Sequence, residues 1–301
     1  MKLNHFPYPL IDIGVNLTSS RLFKRREDIL ARSLQAGVVG LVLTGTDLKN
    51  SKQLIHYTDE RSSVNLKQAE NLKNIEMSKE LYLWSTAGVH PHDAQSTVEQ
   101  SKLSQSWLEE LRTLLMNDRV IAVGECGLDY DRNYSEPAIQ RKVFEAQLKL
   151  AVETQKPLFL HQRAAGADFV EMLKDYADEL PKRGDQLAAV VHCFTDDLNT
   201  MEKLLELGTF IGITGWICDE RRGESLQKAV AHLPLQSVLV ETDAPYLLPR
   251  TLKPKPKKGY NEPAYLPHIV EHLSQYMAQD VSVVAQASFE NTKRLFHLEL
   301  Q

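Results

Sequence analysis

The sequence has only three cysteines, Cys126, Cys193 and Cys218. They are widely spaced and odd in number, which argues against a disulfide framework and a paired-cysteine metal clip. They read as buried small hydrophobes. No run approaches the roughly 18 apolar residues that a membrane helix needs. The first residues, MKLNHFPYP, contain no apolar secretion segment. The expectation is a cytoplasmic protein with no membrane association. Positive charge is not in excess, because the net charge is −5; any site for a polyanion must therefore be local. Low-complexity tracts are missing too, and nothing marks an obligate protein partner.

What is present is organised around VIAVGECGLD, residues 120–129. Val120, Ile121 and Val123 suit a strand buried on both faces, as in a parallel sheet covered by helices. Gly124 and Gly127 flank Glu125 and Cys126 and permit a sharp turn, so the strand is expected to end at Glu125. A carboxylate ending a buried strand is costly unless a metal or a basic side chain meets it. A structural ion pair would be the plainer explanation if the stretch stood alone.

It does not stand alone. Apolar runs at 10–16, 38–44, 81–89, 119–125, 157–161, 187–193, 208–215 and 237–243 alternate with amphipathic patterns, clearest at 24–36, 101–116, 136–155, 166–180, 197–207 and 223–232. Eight such units in 301 residues predict one domain, an α/β TIM (β/α)8 barrel. A doubly wound open sheet would alternate in the same way. A polar, helical insertion is expected at about 59–80. Six prolines between 245 and 267 predict a long ordered loop, and helices at 267–278 and 281–296 close the chain.

In such a barrel the reactive groups gather at the carboxyl ends of the strands. Read in order, those ends carry Asp12 to Asn16, His90 and His92, Glu125, His161, His192, and Glu241 to Asp243. A single histidine closing an apolar run is usually a satisfied core residue. Glu125, His161, His192 and Asp243 on four strands at one rim instead predict a divalent metal site. Imidazole plus carboxylate is the ligand set for Zn, Mn or Fe and, with more oxygen and water, Mg. Beyond the seventh and eighth strands lie Arg221, Arg222, Arg250, Lys253, Lys255, Lys257 and Lys258, where barrels of this kind often bind phosphate.

These residues resemble the TatD family of metal-dependent deoxyribonucleases, within the amidohydrolase-like barrels. The likeness covers nearly the whole chain, through DIGVNLT (12–18), STAGVHPHD (85–93), GECGLD (124–129), HCFT (192–195), IGITGWICDERRG (211–223), ETDAPYLLPR (241–250) and NEP (261–263). It implies metal ligation by Glu125, His161 and His192, with Asp243 as a further ligand or as the base for the attacking water. It also implies that His90 and His92 contact the substrate phosphate or the leaving group, and it retains Arg163 as a phosphate contact. The implied cofactor is Mg2+, with Mn2+ or Zn2+ as alternatives. The implied reaction is phosphodiester hydrolysis in single-stranded DNA, extending to RNA, from the 3′ end.

Two positions depart from the family pattern. A His-x-His pair on the first strand is replaced by Gly14-Val15-Asn16, and His-Cys-Arg-Asp on the fifth becomes His161-Gln162-Arg163-Ala164. Three rival functions fit the same barrel. One is a D-aminoacyl-tRNA ester hydrolase. Another is a small-molecule amidohydrolase, against which the basic loop argues. The third is a non-catalytic nucleic-acid-binding barrel, against which the intact Glu125, His161, His192 and Asp243 argue.

Overall fold

All eight apolar runs form strands of one parallel sheet in the computed structural model, which describes residues 5–61, 63–65, 80–99 and 102–300. They are β1 (Leu10–Val15), β2 (Val38–Leu43), β3 (Glu80–Ala87), β4 (Val120–Asp129), β5 (Leu158–Arg163), β6 (Ala189–Val191), β7 (Phe210–Ile213) and β8 (Val238–Val240). Each strand pairs with the next in chain order. The ring closes where Val15 bridges Ala244, with the Asn16 N–H donating to the Ala244 carbonyl at 2.8 Å. Closure in sequential order rules out the open doubly wound sheet, whose strand order reverses part-way across.

Around the ring lie α1 (Arg26–Gln35), α2 (Leu48–Glu60), α3 (Gln105–Leu115), α4 (Pro137–Thr154), α5 (Gly166–Tyr176), α6 (Leu198–Glu206), α7 (Glu224–Ala229), α8 (Leu266–Tyr276) and α9 (Val281–Phe296). The larger apolar cluster fills the space between these helices and the sheet. A second cluster takes side chains from every strand, among them Ile11, Val42, Trp84, Ala122, Phe159, Val190, Phe210 and Leu239, and is plugged by Leu295, Phe296 and Leu298. This is the barrel interior. Side chains alternate along a strand, so His161, His192 and Glu241, two residues beyond Phe159, Val190 and Leu239, share the inward face and form its next layer.

Three expectations need revision. The fourth strand does not stop at Glu125 but continues to Asp129, because a register shift between Val123 and Cys126 restores pairing with β5. The second helix is not among the clear amphipathic patterns. Asp47 caps it by accepting from the Asn50 N–H at 2.8 Å, and two of its buried positions are Ser51 and Thr58, so its inner face is not visibly apolar. Of the insertion at about 59–80, residues 63–65 pair antiparallel with the start of β3, and 66–79 lie outside the described residues. The proline-rich loop is tied down as expected, through Asn261, whose Nδ2 donates to the Thr242 carbonyl at 2.8 Å.

Candidate metal centre

The placement of Glu125 depends on two glycines. Gly124 and Gly127 both have φ of +144°. A β carbon would sit 2.1 Å from the Phe159 carbonyl oxygen at the first and 1.9 Å from that of His161 at the second. Only glycine lets β4 lie this close to β5, and the Glu125 side chain between them is buried.

Three imidazoles converge on a single oxygen of that side chain. His90 Nε2, His161 Nδ1 and His192 Nε2 lie 3.2, 3.0 and 2.7 Å from Glu125 Oε1. They come from beyond β3, from β5 and from beyond β6. Two further carboxylates hold the rings from behind. Asp129 Oδ2 meets His92 Nε2 at 2.7 Å and His161 Nε2 at 3.3 Å. Glu241 Oε2 meets His192 Nδ1 at 3.2 Å, while its Oε1 accepts the Cys193 N–H.

Protonation preferences follow from burial and these contacts. Burial alone would raise Glu125, but His192, His90 and His161 outweigh it and hold the carboxyl well below the usual range. Burial would likewise lower His192, yet Glu125 and Glu241 carry it well above its ordinary value. His90 is pushed down to about 4 by burial, despite Glu125. Asp243, just past β8 with φ of +53°, is pushed up to about 8 by burial, with Glu125 and Glu241 adding to it. Its Oδ1 accepts from Asn16 Nδ2 at 2.9 Å. Asp12 does not reach the cluster; Thr242 donates to it from both N–H and Oγ1, tying β1 to β8.

The donor set fits a divalent cation. His90, Glu125 and His161 offer ligand atoms all within 4.8 Å of one another, and His192 approaches the same carboxylate oxygen. The raised affinity for protons at His192, which Glu125 and Glu241 produce against burial, marks a region of negative potential that a cation would relieve. The second ring nitrogens of His161 and His192 face Asp129 and Glu241, the partner arrangement that orients metal-binding imidazoles.

Predicted site residues thus fall into distinct groups. Glu125, His90, His161 and His192 are brought together, with Asp243 within their electrostatic reach. His92 does not reach Glu125: its side chain is 28% exposed, paired with Asp129 and edge-on both to Tyr134 and to His90, whose ring centroid is 4.3 Å away. Arg222 and Arg250 line a cleft of about 360 Å³ together with Trp216, Asp219, Pro249 and Lys255. There the Arg222 guanidinium lies 4.4 Å over the Trp216 ring. Arg221 and Lys253 are exposed on the same two loops. Arg163 lies outside this cleft, pairing with Asp131 at 2.9 Å.

The sequence matches the family of TatD related DNases over residues 11–297. The chain belongs to that family. It is 43% identical over 289 residues to a 3'-5' ssDNA/RNA exonuclease TatD of Pectobacterium carotovorum, covering 96% of this chain and 100% of the relative. It is 42% identical over 289 residues to the protein of that name from Salmonella typhimurium, covering 96% and 99%. Among solved structures, a TatD homologue from Escherichia coli has a TM-score of 0.78 at 27% identity, over 96% of this chain and 98% of that one. An amidohydrolase from Saccharomyces cerevisiae, of which 100% is covered along with 96% of this chain, has a TM-score of 0.80 at 24% identity and shares the fold.

Within this TatD framework, sequence reasoning passes over Asp129, Glu241 and Asn16 as site residues, although all three lie inside the quoted motifs. Their signal is positional. Asp129 and Glu241 stand in or beside a strand end that already carries a singled-out residue, and a buried imidazole needs a partner for its second nitrogen; Asn16 is found through its bond to Asp243. Tyr134 and Tyr246, 66% and 53% exposed, escape notice too, since nothing in the sequence distinguishes an exposed tyrosine from a core one.

Proposed function

We propose that this chain hydrolyses phosphodiester bonds in single-stranded DNA, and in RNA, removing nucleotides from the 3′ end with a divalent cation held by His90, Glu125, His161 and His192. The observation that carries this reading is the meeting of three imidazoles at one buried carboxylate oxygen, Glu125 Oε1. The 3′ polarity is supported by the names of the relatives alone.

When bound, the cation offsets charge on the scissile phosphate and lowers the pKa of a water. Asp243 takes the proton of the attacking water on the oxygen that Asn16 does not hold. His92, steadied by Asp129 and open to solvent, donates a proton to the departing oxygen. Arg222, Arg250 and Lys255 neutralise the backbone in the cleft. Tyr134, beside His92, and Tyr246, whose N–H donates to the Asp243 carbonyl at 2.9 Å, present exposed rings to unpaired bases. Stacking of this kind favours single strands.

Three imidazoles and one carboxylate form a nitrogen-rich set, so Mn2+ binds more tightly than the Mg2+ implied by resemblance. Among the described residues, no helix is long and apolar enough to cross a membrane, and all three cysteines are unpaired; a reducing, cytoplasmic setting accords with free thiols. The test is a digest of end-labelled single- and double-stranded oligonucleotides with added Mg2+ or Mn2+. A ladder shortening from the 3′ end of the single strand is expected. Failure to cut with Mg2+, Mn2+ or Zn2+ overturns the reading.

A further inference from the structure

A second group of metal-binding atoms lies outside the Glu125 cluster. Cys218 closes the 3-10 turn Gly215–Cys218 that follows β7, and its side chain is buried. His268 and His272 stand one turn apart on α8, a spacing that puts both rings on one helix face. One ligand atom from each of the three lies within 4.8 Å of the other two, and the imidazole centroids are 4.2 Å apart. His272 Nδ1 donates to the His268 carbonyl at 3.0 Å, which fixes the tautomer and leaves the Nε2 lone pair free to coordinate. Thr251, from the loop after β8, brings its Oγ1 within 2.7 Å of His268 Nε2.

We propose that Cys218, His268 and His272 bind a zinc-class divalent ion that pins the loops after β7 and β8 to α8. A thiolate with two imidazoles selects zinc over magnesium, so this site and the Glu125 cluster differ in the ions they prefer. The Thr251 hydroxyl, already beside His268, completes a tetrahedron and brings in the loop after β8. Binding forms the Sγ–metal bond and releases the thiol proton to solvent. The two pinned loops carry Trp216, Arg222 and Arg250 of the basic cleft, so the ion would set the spacing of its walls without taking part in the reaction at Glu125. Cysteine spacing hides such a site, because its three ligands come from segments about fifty residues apart with a single thiol among them.

Cobalt(II), titrated into the metal-stripped full chain, distinguishes this site from the other. The Glu125 cluster offers only nitrogen and oxygen, so a thiolate-to-cobalt charge-transfer band in the near ultraviolet reports a cysteine ligand. The expected band saturates by two equivalents in the parent and near one in Glu125→Gln, disappears on adding Zn2+, is lost in Cys218→Ser and His272→Gln, and persists in Cys193→Ser. Should Cys218→Ser not fold, His272→Gln on the partly exposed helix face decides, read together with the rise in Tm that Zn2+ produces in the unaltered chain. The absence of a band overturns the proposal. So does a band that survives His272→Gln, or a Zn2+-induced rise in Tm as large in that variant as in the parent.

Discussion

A β carbon on Gly14 would lie 2.2 Å from Glu241 Oε2, so the Glu241 carboxylate occupies the space that any side chain at position 14 would need. Gly212 faces the other oxygen, where a β carbon would be 2.6 Å from Oε1. Glycine at position 14, where the resemblance implies the first histidine of a His-x-His pair, leaves this room. Glu241 sits between two glycines against His192 Nδ1, and Asn16 binds Asp243.

Gly14→Ala should therefore push Glu241 off His192 and weaken the metal site while the barrel stays folded. Loss of an outer partner of a metal-binding imidazole costs about 10–100-fold in affinity. Titration calorimetry with Mn2+ would measure it, and an unchanged affinity would show that Glu241 is not needed to hold His192.

Asp243→Asn should lower kcat by roughly 10²–10⁴-fold, the range for loss of a general base, with nucleic-acid binding largely kept. Asn16→Ala should lower kcat less, because Asp243 loses its orientation but keeps its carboxylate. Near-normal kcat in Asp243→Asn at saturating metal would move the base elsewhere.

Acidity should oppose the metal. Asp243 is raised from 3.8 to about 8, and His192 well above 6.5, in the metal-free fold. Both are raised, so the folded state binds protons that the unfolded chain has released, and their contribution to stability is lost as pH rises through this window. The metal-free Tm should fall between pH 6 and pH 8. A bound cation displaces these protons, so affinity should climb over the same range with proton release. Calorimetry in two buffers of different ionisation enthalpy would detect that release; a binding constant flat in pH would contradict it.

Arg222→Ala and Arg250→Ala should raise KM more than they lower kcat, because contacts to phosphate position the strand. Removing one positive charge that neutralises a phosphate of a single strand flattens the logarithmic salt dependence by about 0.7. Equal salt slopes in parent and variants would leave the cleft without a part in binding.

Much of this is legible in the sequence, for physical reasons. The alternation of apolar runs points to the barrel, because strands buried on both faces must be nearly continuous in Val, Ile and Leu. His161, His192 and Glu125 are legible because each closes such a run. The second helix is not, since Ser51 and Thr58 stand at two of its buried positions. The extent of β4 is not either: Gly124 and Gly127 read as a stop, whereas they permit contact with β5 and let the strand run on to Asp129. The division of labour between His90 and His92 also escapes the sequence. They are two residues apart, yet one turns to Glu125 and the other to Asp129, a difference set by the local turn that periodicity cannot resolve.

The central claim, that the ion gathered at Glu125 is the one on which strand cleavage depends, is tested most directly by the metal dependence of Glu125→Gln. Release of nucleotide from a 3′-labelled single strand would be followed against Mn2+ concentration in parent and variant, with folding checked by circular dichroism. Half-maximal rate is expected at a metal concentration at least about 10-fold higher in the variant, since loss of even an outer partner of a metal ligand costs about that much in affinity. The same half-saturating concentration in both proteins would place the working ion elsewhere and contradict it.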